Sequence, residues 1–66
     1  MEVYMDLGNK IREARERKLM TQKELAEAIG VTPVIVSVWE NGWKRPRFEN
    51  LKKLIAVLGL RKSDLQ

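Results

Sequence analysis

The sequence predicts an all-α fold, a compact bundle of about five short helices. Three observations lead there. Apolar residues recur three and four positions apart, without the sustained alternation of a half-buried strand. Helix-start residues are followed at helical distances by glycines placed to stop them, Gly30, Gly42 and Gly59. A chain of 66 residues with no cysteine has room for one small domain and no crosslink to hold it.

Asp6 is placed to cap a first helix over Leu7 to Lys18, in which Leu7, Ile11 and Ala14 share a face. Residues 1–5 ahead of it form an N-terminal extension whose Val3, Tyr4 and Met5 suit packing on the body, a dimer contact or disorder. Thr21-Gln22-Lys23-Glu24 is a capping box, with Met20 and Leu25 at the two positions of a hydrophobic staple. Leu25, Ala26 and Ile29 then line the buried side of a second helix that Gly30 ends in a left-handed turn. Thr32 caps a third helix almost at once. Pro33 at its first position sacrifices no hydrogen bond, and the helix runs to about Asn41 before Gly42. Val34 to Val38 is rich in β-branched residues, but Thr32-Pro33 before it and Trp39-Glu40-Asn41-Gly42 behind it frame a helix. Pro46 forbids a continuous helix through the loop at 43–47. Phe48, Leu51, Leu54, Ile55 and Leu58 then repeat at helical spacing up to Gly59, and Leu60 to Leu65 make a short final turn or helix.

Composition narrows the function. No cysteine and no histidine means no thiolate nucleophile, no ordinary zinc site and no His-dependent triad. No loop concentrates carboxylates for a hard cation, so no metal and no cofactor is expected, and no small-molecule substrate is evident. No apolar run approaches a membrane span, and the first residues lack the basic start of a signal peptide. A cytoplasmic location is the expectation.

The net charge of +4, from 13 basic and 9 acidic residues, says little until it is resolved along the chain. Residues 1–21 carry +1, residues 22–42 carry −2, and residues 43–66 carry +5. Within the last third, Trp43-Lys44-Arg45-Pro46-Arg47-Phe48 has the composition of an anion-binding loop.

Two short helices joined by a glycine turn in a basic all-α domain have the layout of a helix-turn-helix, here residues 22–42. A small residue is needed where the helices cross, and Ala26 supplies it. A glycine is needed where φ turns positive, at Gly30, and Val36 and Trp39 pin the second helix to the core.

The run from Thr21 to Thr32, then Ser37-Val38-Trp39-Glu40-Asn41-Gly42 and Pro46, resembles the Cro/CI-type helix-turn-helix family. This is the family of lambdoid phage repressors and xenobiotic-response-element regulators, and the resemblance covers roughly residues 7–65. It implies a lambda-repressor-like bundle that binds a pseudo-palindromic operator in double-stranded DNA, usually as a homodimer, in a bacterial, archaeal or phage-encoded protein. It implies that residues 33–41 dock in the major groove, with Thr32, Pro33, Val34, Ser37 and Val38 facing the bases. Gln22 matches a glutamine that touches phosphate and braces the recognition helix. Asn41, Lys44, Arg45 and Arg47 match positions that hold phosphates or, for Arg47, lean into the central minor groove. Arg15 and Glu40 match a paired arginine and glutamate that fix the recognition helix. Leu58, Leu60 and Leu65 are the expected dimer residues, with core packing as their alternative.

At the base-reading positions the chain departs from the family. Recognition helices usually present long polar side chains, which pair bidentately with guanine or adenine. This one presents Pro33, Val34 and Val38, with Ile35 beside them and Ser37 as its polar group. Contact with thymine methyls, T-rich half-sites and a large phosphate share of the affinity follow as expectations. The same Val34/Ile35/Val38 surface also suits a protein-interaction module of this fold, such as an antitoxin or bridging factor. An enzyme is not expected, because Ser37, Ser63, Tyr4 and the lysines lack recognisable catalytic partners.

Overall fold

The computed structural model describes residues 5–65 as four α-helices and a closing 3-10 turn. In chain order these are α1 (Met5–Arg17), α2 (Gln22–Ile29), α3 (Pro33–Glu40), α4 (Phe48–Leu58) and the turn Lys62–Leu65. The all-α expectation holds, and its fifth helix is the 3-10 turn.

Each boundary has a local cause. The capping box of α2 forms in both directions: the Glu24 amide donates to Thr21 Oγ1 at 3.0 Å, and the Thr21 amide donates to Glu24 Oε1 at 2.8 Å. Gly30, at φ 90°, closes α2, and the Gly30 and Val31 amides both donate to the Ala26 carbonyl. Thr32 caps α3 through a long bond of 3.4 Å from the Ile35 amide. At its far end Gly42, at φ 76°, lets its own amide reach the Trp39 carbonyl and the Trp43 amide reach the Val38 carbonyl. The end of α1 uses the same bonding, Leu19 to Glu16 and Met20 to Arg15, but there the left-handed residue is a leucine, with φ 57°.

Three sequence expectations need correction. Helix α1 already includes Met5, so Asp6 lies in its first turn and complements the helix dipole instead of capping it. Helix α1 stops at Arg17, with Lys18 in the turn. Phe48 does not join the buried stripe of α4; it is 73% exposed. It is the first residue of its helix, and side chains there point back toward the N-terminus, past the helices that bury Leu51 and Leu54. Val3 and Tyr4 lie outside the described residues.

The core draws on every helix, with Ile11, Leu25, Ile29, Val36 and Leu54 fully buried. It holds the two halves of the helix-turn-helix against α1 and α4. Helices α1 and α3 cross with their backbones close together: a Cβ on Gly8 would stand 2.5 Å from the Trp39 carbonyl oxygen and 2.7 Å from that of Glu40. One turn further, a Cβ on Gly42 would meet Met5 Sδ at 2.9 Å and the Met5 backbone nitrogen at 3.0 Å. The start of α1 therefore abuts the end of α3, which places opposite ends of two helix dipoles together.

Two substitutions test these backbone contacts with opposite signs. Gly8→Ala gains about 1 kcal/mol of helix propensity but forces two backbone carbonyls aside, at a cost of about 1–3 kcal/mol. Thermal denaturation should show a net loss, and a raised midpoint would mean that the crossing is looser than described. Leu19→Gly removes a left-handed strain of about 1–2 kcal/mol and restores some unfolded-state entropy, for a net gain of roughly 0.5–1 kcal/mol. Its side chain is 90% exposed, so no packing is lost, and denaturant titration should register a higher midpoint.

Candidate nucleic-acid interface

Helix α3 is held by one hub of polar side chains. Arg15 on α1 donates from Nε to Glu40 Oε2 at 2.6 Å and from Nη2 to Glu40 Oε1 at 3.0 Å. Its third nitrogen, Nη1, donates to the Met20 carbonyl at 2.8 Å, in the turn between α1 and α2. Gln22 Nε2, from the first residue of α2, donates to Glu40 Oε1 at 3.0 Å. The two charged side chains are 12% and 3% exposed, so the bidentate pair is largely shielded from solvent. The hydrogen bond to Glu40 holds the Arg15 guanidinium above its ordinary value, against the opposing effect of burial. Three helices meet at a single carboxylate, and Arg15 carries the link on to the turn between α1 and α2.

The structure therefore brings together Arg15, Glu40 and Gln22, as an ion pair and its brace. It also changes the electrostatics of α3. Glu40 is the one charged residue between Pro33 and Glu40, and it is turned inward and neutralised. The outward face of the helix carries no charge.

That face holds the residues expected to meet bases. Thr32, Pro33 and Val34 are exposed, Val34 at 69%, while Ser37 and Val38 are half-buried. Val36 and Trp39 point the other way, into the core. Two of the polar groups are already engaged locally: Thr32 Oγ1 accepts the Ile35 amide, and Ser37 Oγ accepts from Asn41 Nδ2 at 3.3 Å. Each hydroxyl keeps its own hydrogen to donate.

Beyond α3, Asn41, Lys44, Arg45 and Arg47 are all exposed along the loop, while Pro46 is buried and anchors it. Arg45 is partly committed, since its Nη1 donates to the Leu65 carbonyl at 3.2 Å and ties the loop to the final turn. The expected dimer residues divide. Leu58 and Leu60 fill the chain's own core and leave almost no surface, whereas Leu65 is half-buried. A partner at this end would meet Leu65 and the exposed Arg61 and Ser63 around it.

Sequence reasoning missed three contributors. Gly8 carries no motif, because a glycine inside a helix signals a close crossing only when the neighbouring backbone is known. Gly42 was visible as a helix stop but not as the seat of Met5. Lys53 sends Nζ to the Ile29 carbonyl at 3.3 Å, which satisfies the end of α2 from α4.

Comparison with known proteins places this geometry. A family model described as helix-turn-helix matches residues 11–65. The transcriptional regulator DicA of Escherichia coli is 39% identical over 54 residues, 82% of this chain and 40% of that protein. Multiprotein-bridging factor 1 of Debaryomyces hansenii is 37% identical over 57 residues, 86% of this chain and 38% of that protein. The chain thus spans about two fifths of the length of these curated relatives, which come from both bacterial and eukaryotic sources. Among solved structures, the P22 c2 repressor, crystallised with a synthetic operator, is 32% identical, with a TM-score of 0.84 over 89% of each chain. Among the described residues no helix is long and apolar enough to cross a membrane.

The hub has a measurable signature. Glu40→Ala leaves Arg15 without its carboxylate and should lower stability by about 3 kcal/mol. Arg15→Met should cost a similar amount, and the double variant less than the two together, by about 1–3 kcal/mol of coupling. Additive losses in a denaturant-unfolding cycle would show that the two charges act independently.

Proposed function

The chain belongs to the Cro/CI-type helix-turn-helix family, a family of DNA-binding regulators and not of enzymes, and on that premise we propose sequence-specific binding to double-stranded DNA as a small transcriptional regulator. One observation carries the proposal. The sole acid of α3 is buried against Arg15, so an uncharged face remains, followed along the chain by the exposed Lys44, Arg45 and Arg47. An exposed carboxylate at that position would repel phosphate; a withdrawn one lets the helix approach.

In this reading α3 enters the major groove. Val34 and Val38 touch thymine methyls, with Pro33 beside them, and Thr32 and Ser37 supply the hydrogen bonds. Lys44, Arg45, Arg47 and Asn41 hold phosphates, with Arg47 nearest the minor groove. Arg45 exchanges its bond to Leu65 for a phosphate oxygen. Gln22 stays on Glu40 and leaves the free amides of the first turn of α2 to face the backbone. A homodimer on half-sites about 34 Å apart doubles the small surface that one recognition helix reads, and its contact involves Leu65 and its exposed neighbours. A cytoplasmic site of action accords with a DNA target.

A second reading has its own observation. Val34 and Ile35 are 69% and 37% exposed, and bridging factors stand among the relatives at an identity close to that of DicA. Under that reading the apolar face of α3 binds a protein and the basic loop adds only weak DNA affinity.

Salt titration separates the two. Duplex binding should fall with a log–log slope of about −0.9 per phosphate contact, and Arg45→Ala and Arg47→Ala should each reduce that slope by roughly one. A flat salt response would support the protein-binding reading. Selection from random duplexes should return T-rich half-sites, and Val38→Ala should change the preferred sequence; guanine-centred sites would overturn the thymine-methyl contacts.

A further inference from the structure

The loop between α3 and α4 and the first residue of α4 bear two large aromatic side chains, Trp43 and Phe48, that neither the core nor a duplex grip requires. Trp43 is 68% exposed and Phe48 73%, whereas the neighbouring Trp39 is 4% exposed. Between the two rings stand three exposed cations, Lys44, Arg45 and Arg47, and no acid. The next carboxylate along the chain, Glu49, follows Phe48 directly. Lys52 places its Nζ 5.3 Å from the Phe48 centroid, which adds a fourth cation to the patch and covers one face of that ring. The loop is also held in place. Pro46 is buried, and Arg45 is bonded to the Leu65 carbonyl.

A run of cations flanked by two exposed aromatic rings matches one kind of partner. Cations serve any polyanion, but in a duplex the base faces are already stacked on one another and closed to a ring outside the helix. Ring faces gain a partner only where bases are unstacked. We infer that the Trp43–Phe48 loop is a second nucleic-acid site, which binds single strands by stacking bases on Trp43 and Phe48 while Lys44, Arg47 and Lys52 hold the backbone. The charge pattern argues against an apolar protein partner, which would leave these cations desolvated and unpaired. The inference does not depend on α3 reading a duplex.

The test uses labelled oligothymidine of about 12 nucleotides, the same strand without bases, and a duplex of matched length. Trp43→Ala and Phe48→Ala should each weaken the single strand by about fivefold to 150-fold, while Trp43→Phe keeps most of the affinity. Both side chains are exposed, so circular dichroism should confirm an unchanged fold. The strand without bases should bind no better than the double alanine variant does to oligothymidine, and duplex binding should change less than threefold. Stacking should also quench Trp43 fluorescence, and Trp43→Phe should abolish that quenching. Equal binding of the base-free strand, no effect of either alanine variant, no binding of oligothymidine at low salt, or equal losses on duplex and single strand would each overturn the inference. Failure of the duplex alone would sink the proposal for α3 and leave this one standing.

Discussion

The buried contact between Arg15 and Glu40 is the interaction on which the orientation of α3 depends. Apolar packing of Val36 and Trp39 holds the helix to the core, but such packing is non-directional and tolerates small rotations. The bidentate pair is directional. It fixes the end of α3 against α1, and the further bonds to Met20 and Gln22 extend the constraint to the turn and to the start of α2. Gly8 and Gly42 make this geometry possible, because any side chain there would push the end of α3 away from Arg15.

The same contact sorts the charge of the molecule. The helix-turn-helix segment is net negative in sequence, yet two of its three acids are withdrawn: Glu40 is buried, and Glu24 is turned back into the cap of α2, which leaves Glu27 exposed on α2 and no acid on the outward face of α3. The positive excess lies after α3, mostly on the loop, with the rest on α4 and around the final turn. In the proposed mode of binding, attraction to a polyanion and discrimination among its sequences fall to adjacent but separate segments, and the discriminating one is uncharged.

Much of this was legible from residue order. The capping box at Thr21–Glu24, the stop at Gly30 and the Thr32–Pro33 start are local signals, and local hydrogen bonds realise each of them. Phe48 misled because periodicity records only spacing; a residue in the first turn of a helix keeps the period while projecting beyond its neighbours. The pairing of Arg15 with Glu40 was accessible through family resemblance alone, since 25 residues separate them. Gly8 was invisible, because its role belongs to the backbone of another helix. For the candidate site, the residues along α3 and the loop could be placed from sequence, whereas the tether of Arg45 to Leu65 and the burial of Leu58 and Leu60 depend on how the chain end folds back.

The division of α3 into a pinned side and a free side bears on how such a chain changes over time. Pro33 and Val34 are exposed and take no part in the hub or the core, so replacing Val34 should shift stability by no more than about 0.5 kcal/mol, and replacing Pro33, which pre-sets the first turn of α3, by no more than about 1 kcal/mol. New side chains at these positions can be tried by mutation without unfolding the domain. On the proposed reading the fold is a chassis with exchangeable reading residues, and the apolar set carried here is one occupant of that face among many that the same scaffold would support.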